Sequence, residues 1–186
     1  MILLARHGET DDNRAPARVQ GWRDPPLNGR GREQANELAA RVSSESLTRL
    51  YSSNLRRARE SAEIVGRALG LEVVVDEDLA ESNRGRWEGR LLRDIEREEP
   101  EAWAAWLRGG PGFRFPEGES LEEHAWRVAR AVRRIGESPL PALAVCHGGT
   151  IRCAAALADP RGLDAFHELE VPNGSVVKVH PGSLYG

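Results

Sequence analysis

Two histidines stand at the ends of short apolar runs, and each is followed at once by glycine. In residues 1–13, MILLARHGETDDN, the run Ile2-Leu3-Leu4-Ala5 gives way to Arg6, His7 and Gly8. In residues 143–152, LAVCHGGTIR, a second apolar run gives way to His147, Gly148 and Gly149, with Thr150 following. An imidazole beside a fixed positive charge, with glycine letting the backbone approach closely, is chemistry for a small anion, phosphate above all. Glycines that open a helix add free N–H groups and a partial positive charge to the same end. A third stretch, SSNLRRARESA (residues 52–62), offers Arg56, Arg57 and Arg59; a fourth, LAESNRGRWEG (residues 79–89), offers Glu81 as a proton donor. Each stretch alone also reads plainly: a surface loop, a structural histidine, a solvated arginine face paired with Glu60 and Glu63, a surface glutamate. Asp11 and Asp12 suggest magnesium, but adjacent side chains point apart, so a solvated loop is the expectation there.

The elements that must position these residues alternate. Residues 2–5 read as a buried strand, Arg49–Ser52 as a second, 71–75 as a third with three consecutive valines, and Ala142–Cys146 as a fourth. A late alternating strand is expected over 175–180, antiparallel to the others. Between them lie helical patterns. Asn28 caps one carrying Ala35, Leu38, Ala39 and Val42; Ser53 or Asn54 caps one that ends at Gly70. Residues 91–107 read as one helix interrupted at Pro100, Ser120 and Glu123 form a capping box for the next, and 150–157 form the last. Strands alternating with helices predict a single-domain three-layer α/β/α fold with a mostly parallel central sheet, spanning residues 1–186. In such sheets ligands bind beyond the carboxyl ends of the strands, where His7 and His147 would stand.

Taken together, RHGET with Asn13 six residues after His7, SxLxRA at Ser53 to Ala58, LxExxxGxWEG at Leu79 to Gly89, and HGG at His147 resemble the histidine phosphatase superfamily. This is the group of cofactor-dependent phosphoglycerate mutases, fructose-2,6-bisphosphatase domains and α-ribazole phosphatases. The resemblance implies a phosphoglycerate mutase-like fold. It implies that His7 is the nucleophile that becomes phosphohistidine, that Arg6, Arg57 and His147 clamp the phosphate, and that Asn13 is a further donor. It makes Glu81 the proton donor to the leaving alkoxide and places Gln20 and Gly21 where the first loop touches substrate. Gly148 joins the set as the first residue of the glycine pair behind His147. To act as an acid Glu81 must be protonated, so burial or the incoming dianion must raise its pKa. The charge state of His147 is left open. The implied enzyme needs no metal and no cofactor, since a neutral imidazole is already a nucleophile near pH 7.

A rival uses the same stretch. Cys146 and Arg152 form C-x5-R, the pattern of cysteine phosphatases, in which a thiolate attacks phosphorus. That reading leaves RHGET, SxLxRA and Glu81 unexplained. A second alternative is a mutase. The superfamily's mutases carry a long insertion after the WEG block, whereas here fewer than thirty residues separate Gly89 from Gly118, which favours water entry and hydrolysis. A third is a non-catalytic phosphate-binding module, although every matched chemical position is intact. Trp22, Arg23, Trp103, Trp106, Arg108, Phe113, Arg114 and Phe115 are the candidates for the pocket rim, with the two tryptophans at helical spacing favouring the core. The substrate expected is a small phosphorylated metabolite, with α-ribazole phosphate and sugar phosphates equally compatible.

Composition removes other classes. A formal net charge of −3 supplies no basic field for nucleic acid. Lys178 is the sole lysine among arginines. No apolar stretch is long enough for a membrane span, and the first strand starts at once, which leaves no expected signal peptide. Two cysteines make neither a disulfide framework nor a zinc cluster. A cytoplasmic protein is the expectation, and a strand-edge homodimer is left open.

Overall fold

The computed structural model describes residues 1–182. Five strands, β1 (Ile2–Arg6), β2 (Arg49–Ser52), β3 (Val73–Val75), β4 (Ala142–Cys146) and β5 (Val176–Val179), form one sheet in the order β3-β2-β4-β1-β5. All neighbours are parallel except β5, which runs antiparallel to β1, as its alternating pattern predicted. The central strands are apolar, β1 up to Arg6 at its carboxyl end and β4 throughout, because helices cover both faces. Leu3, Ala5, Leu143 and Val145 pack under α1 (Gly29–Val42) and α2 (Arg56–Leu69). Ile2, Leu4, Ala142 and Ala144 pack under α5 (Leu121–Gly136) and α6 (Gly148–Leu157). This is the expected three-layer α/β/α arrangement.

Sheet order decides where the site lies. The chain leaves β1 for the α1/α2 face and leaves β4 for the opposite face, so the carboxyl ends of these two neighbours flank a crevice at a topological switch point. Register pairs Arg6 with Cys146, and the His7 amide donates to the Cys146 carbonyl at 3.0 Å. His7 and His147, 140 positions apart in sequence, therefore emerge side by side.

Some boundaries differ from the sequence reading. The helix expected over 91–107 is two, α3 (Leu92–Glu98) and α4 (Pro100–Arg108), broken at Glu99 with φ −131°. Proline disfavours helical backbone at the residue before it and suits the first helical position. Leu55, not Ser53 or Asn54, stands at the N-cap of α2; Ser53 Oγ instead accepts from the Leu55 amide at 3.2 Å. Helix α6 starts at Gly148, two residues early, with His147 at its cap. The third strand is only Val73–Val75, and it forms an edge with Val74 and Val75 about half exposed.

Candidate active site

At the sheet's carboxyl edge lies a cavity of about 330 Å³. The structure brings Arg6, His7, Asn13, Gln20, Gly21, Arg57 and Glu81 into its wall, although they come from β1, the loop after it, α2 and the loop after β3. His147 and Gly148 are not in that wall. His147 is fully buried behind His7, with ring centroids 5.1 Å apart.

The loop after β1 can turn this tightly because Gly8 lies against the start of α1. A Cβ on Gly8 would sit 2.1 Å from the Gly31 carbonyl oxygen. That turn lets His7 Nδ1–H donate to the Gly8 carbonyl at 2.7 Å, which fixes the tautomer and leaves the Nε2 lone pair facing the cavity. Arg57 Nε donates to that Nε2 at 3.2 Å, while its other nitrogens donate to the Arg23 and Gly21 carbonyls at 2.7 and 2.8 Å. Burial, with Arg57 and Arg6 nearby, holds His7 well below the ordinary histidine pKa, so it is neutral at pH 7. His147 is pushed the same way by burial, then by Arg57 and His7, which favours its neutral form. Its Nε2 lies 2.8 Å from Ser53 Oγ, and its Nδ1 is buried without a partner. Arg57 is lowered by burial to about 10 and stays cationic at pH 7. Arg6 donates to the Val171 carbonyl at 2.6 Å and keeps a buried Nε with no partner. Asn13 Oδ1 accepts from the Thr10 amide at 3.0 Å, which leaves its NH₂ end as the donor available to a ligand.

Glu81 is held from several directions. Its backbone carbonyl accepts from Trp22 Nε1 at 2.7 Å and Arg127 at 2.9 Å. Its carboxylate accepts from the Ser82 amide at 2.9 Å and the Gly149 amide, in the first turn of α6, at 3.1 Å. Burial raises its pKa, but Arg84, His124 and the two amides outweigh that and bring it down to about 2. Burial therefore does not supply the raised pKa expected from the sequence; of the two causes considered, only an incoming dianion remains.

The rival cysteine reading fails on placement. Cys146 is fully buried as the last residue of β4, is absent from the cavity wall, and burial pushes its thiol pKa far up. Arg152 does line the cavity, with its Nε donating to the Leu169 carbonyl at 2.9 Å. Of the rim candidates, Trp103 and Trp106 reach the cavity even though Trp106 is also buried in the core. Phe113 and Phe115 do not form its wall. They are buried with Trp106, and Phe115 is fully enclosed. Trp22, Arg23, Arg108 and Arg114 are likewise outside the wall.

Sequence reasoning missed Arg18 and Arg84, both in the wall, and read Asp12 as solvated. Asp12 also lines the cavity; its buried Oδ2 has no hydrogen-bond partner, and Arg23 Nε lies 3.8 Å away. Arg84 lies in a stretch without helical or strand period, so no spacing pointed to it. The order of the four motifs was the only signal, and it marks Glu81 rather than its neighbour.

The chain is similar to known proteins over nearly its whole length. The family model of the histidine phosphatase superfamily (branch 1) matches residues 2–183. A protein named "Probable phosphoglycerate mutase GpmB" from Photorhabdus laumondii is 35% identical over 180 residues, covering 96% of this chain and 83% of its own. Bacillus stearothermophilus YhfR superposes with a TM-score of 0.86 at 31% identity, covering 94% of this chain and 88% of its own. Mycobacterial glucosyl-3-phosphoglycerate phosphatase Rv2419c, in complex with VO3, superposes with a TM-score of 0.83 at 32% identity over the same shares. With likeness over nearly its whole length, this chain belongs to the histidine phosphatase superfamily, branch 1, a group of phosphatases and mutases.

Proposed function

We infer that this enzyme hydrolyses a small phosphomonoester through a phosphohistidine on His7. The observation that carries the reading is the neutral His7 imidazole, with Nδ1–H tied to Gly8 and Nε2 directed at a cavity that Arg6 and Arg57 line. In the first step the Nε2 lone pair attacks phosphorus and the ester P–O bond breaks. Arg57 Nε passes from His7 to a phosphate oxygen, Arg6 and the Asn13 amide take others, and the charge of the transition state meets preplaced donors. The leaving oxygen takes a proton from Glu81. That proton is taken up from water when the substrate binds: a phosphate dianion beside a carboxylate otherwise held at about 2 raises its pKa, and Glu81 then carries the one proton that the leaving oxygen needs. In the second step water attacks phosphorus, its proton returns to Glu81, and the P–N bond breaks. His147, neutral and buried behind His7, packs against the nucleophile's ring and holds it in place.

The partner is a small phosphorylated metabolite, α-ribazole phosphate and sugar phosphates among the candidates, and no step calls for a metal or cofactor. Two buried free thiols, Cys146 and Cys153, suit the reducing cytoplasm. The name of the Photorhabdus relative favours a second reading, transfer of the phosphoryl group to another hydroxyl of the substrate. Incubation with labelled phosphomonoester and quenching in alkali tests the main reading. Label that stays on the protein in base, leaves in acid and is lost in His7→Ala supports it, with inorganic phosphate as the dominant product. Label absent from the wild-type protein, or present in His7→Ala, overturns it; dominant isomerisation of 3-phosphoglycerate replaces hydrolase by mutase.

A further inference from the structure

Arg84 is the least satisfied cation in the cavity wall. Its side chain is only 17% exposed, yet among the described residues its guanidinium makes no hydrogen bond. Nε is buried with no partner, and the nearest carboxylate oxygen, Glu81 Oε2, is 3.9 Å away, too far for a hydrogen bond. The group is instead held by rings: its central carbon lies 5.2 Å from the Trp106 centroid and 5.1 Å from that of Phe115. Buried donors are ordinarily paired, and a guanidinium fixed in place with open donors is preorganised for a planar anion. The neighbouring arginines are partly engaged, Arg18 with the Gly89 carbonyl at 2.9 Å and Arg152 with that of Leu169.

We propose that Arg84 is a specificity-determining residue: it receives a carboxylate that the substrate carries on the ester carbon or the next carbon along. The reach follows from the geometry. Glu81 meets the ester oxygen, and Arg84 lies 3.9 Å from Glu81 against the Trp106 ring. A carboxylate matches the guanidinium fork with two parallel hydrogen bonds. A substrate with a hydroxymethyl group there leaves the donors open and gains no charge-assisted contact. This inference rests on the phosphatase reading of the same cavity.

The test uses two matched pairs, phosphoglycolate against 2-hydroxyethyl phosphate and 3-phosphoglycerate against glycerol 3-phosphate. In each pair a carboxylate replaces a hydroxymethyl group. Phosphate release is measured as kcat/KM for the wild type and for Arg84→Met, Arg84→Gln and Arg84→Lys, with each Tm recorded. The wild type is expected to prefer the acid at least tenfold in one pair. Arg84→Met and Arg84→Gln remove that preference and Arg84→Lys keeps part of it. Any effect of Arg84 on Glu81 or on folding falls on both members of a pair and cancels in the ratio. No preference in the wild type, or one unchanged within about twofold in Arg84→Met and Arg84→Gln, overturns the role of Arg84 alone. Absence of phosphate release from all four esters and from a broader panel overturns the phosphatase reading instead.

Discussion

Replacing Gly149 by alanine moves the Glu81 carboxylate and little else. Gly149 lies in the first turn of α6, its φ is not in the left-handed region, and alanine is the better helix former, so the backbone has no objection. The space has one. A Cβ there would sit 2.1 Å from Glu81 Oε1 and 3.0 Å from its carboxyl carbon, whereas real Cβ atoms stay beyond about 3.0 Å. The oxygen must therefore withdraw by roughly 0.9 Å, and the hydrogen bond from the Gly149 amide to Oε2 goes with it. A displacement of about 1 Å at a reacting group costs on the order of 10²-fold in rate, or about 3 kcal/mol of barrier. The assay separates this from general damage through the leaving group. An alkyl ester such as glycerol 3-phosphate needs the proton, so its kcat/KM should fall about 10²-fold. p-Nitrophenyl phosphate leaves as a weakly basic phenolate and should lose less than about tenfold. Equal losses on both esters, or none on the alkyl ester, refute Glu81 as the proton donor held by this amide.

Two further outcomes follow from buried charge. His7, His147 and His124 are all held neutral by burial, His124 down to about 3, while in the unfolded chain each titrates near 6.5. Below that pH the unfolded state binds more protons, so stability is full above about pH 7 and falls as pH drops. Each histidine adds about 1.4 kcal/mol per pH unit, and the three together reach about 4 per unit near pH 5. Glu81 adds to the loss only below about 4.5, where the unfolded chain protonates it and the folded chain does not until about 2. Urea unfolding at pH 7, 6 and 5 checks this, and uptake of one proton or fewer at pH 5 contradicts it. Arg127 bridges Glu119 at 2.7 Å and donates to the carbonyls of Asp78, Ala80 and Glu81, with only 12% of its side chain exposed. Arg127→Met should cost about 3 kcal/mol or more by leaving Glu119 enclosed without its partner, and Arg127→Met/Glu119→Gln should recover part of it. A single-mutant cost under about 1 kcal/mol in urea unfolding would make the pair an ordinary surface contact.

Which residues stand at the sheet's carboxyl edge was legible wherever the reason is local. An apolar run stopping at His7 or His147, followed by glycine, says strand end and close approach without any partner in view. The capping box at Ser120 and Glu123 reads the same way, and it forms, with Ser120 accepting from the Glu123 amide at 3.1 Å. The break at Pro100 was visible as an interruption, but local pattern did not show that it separates two helices that both reach the cavity, through Leu92, Trp103 and Trp106.

What only the tertiary structure decided is everything that depends on groups far apart in sequence. The register of β1 against β4 puts the two histidines together, and no local signal sets that register. Glu81 is held by Trp22, Arg127 and Gly149, from the first loop, α5 and α6, none of which its own neighbourhood in sequence shows; its low pKa draws on nearby Arg84 and Ser82 but also on His124 and Gly149, which only the fold brings to it. Arg84 differs from the other arginines only because Trp106 and Phe115 arrive beneath it and no acceptor does. The sequence by itself determined the residue types and the strand ends that bear them. Folding decided which of many arginines and carboxylates lost their water, and burial is what turns an ordinary side chain into one with a shifted pKa or an open donor.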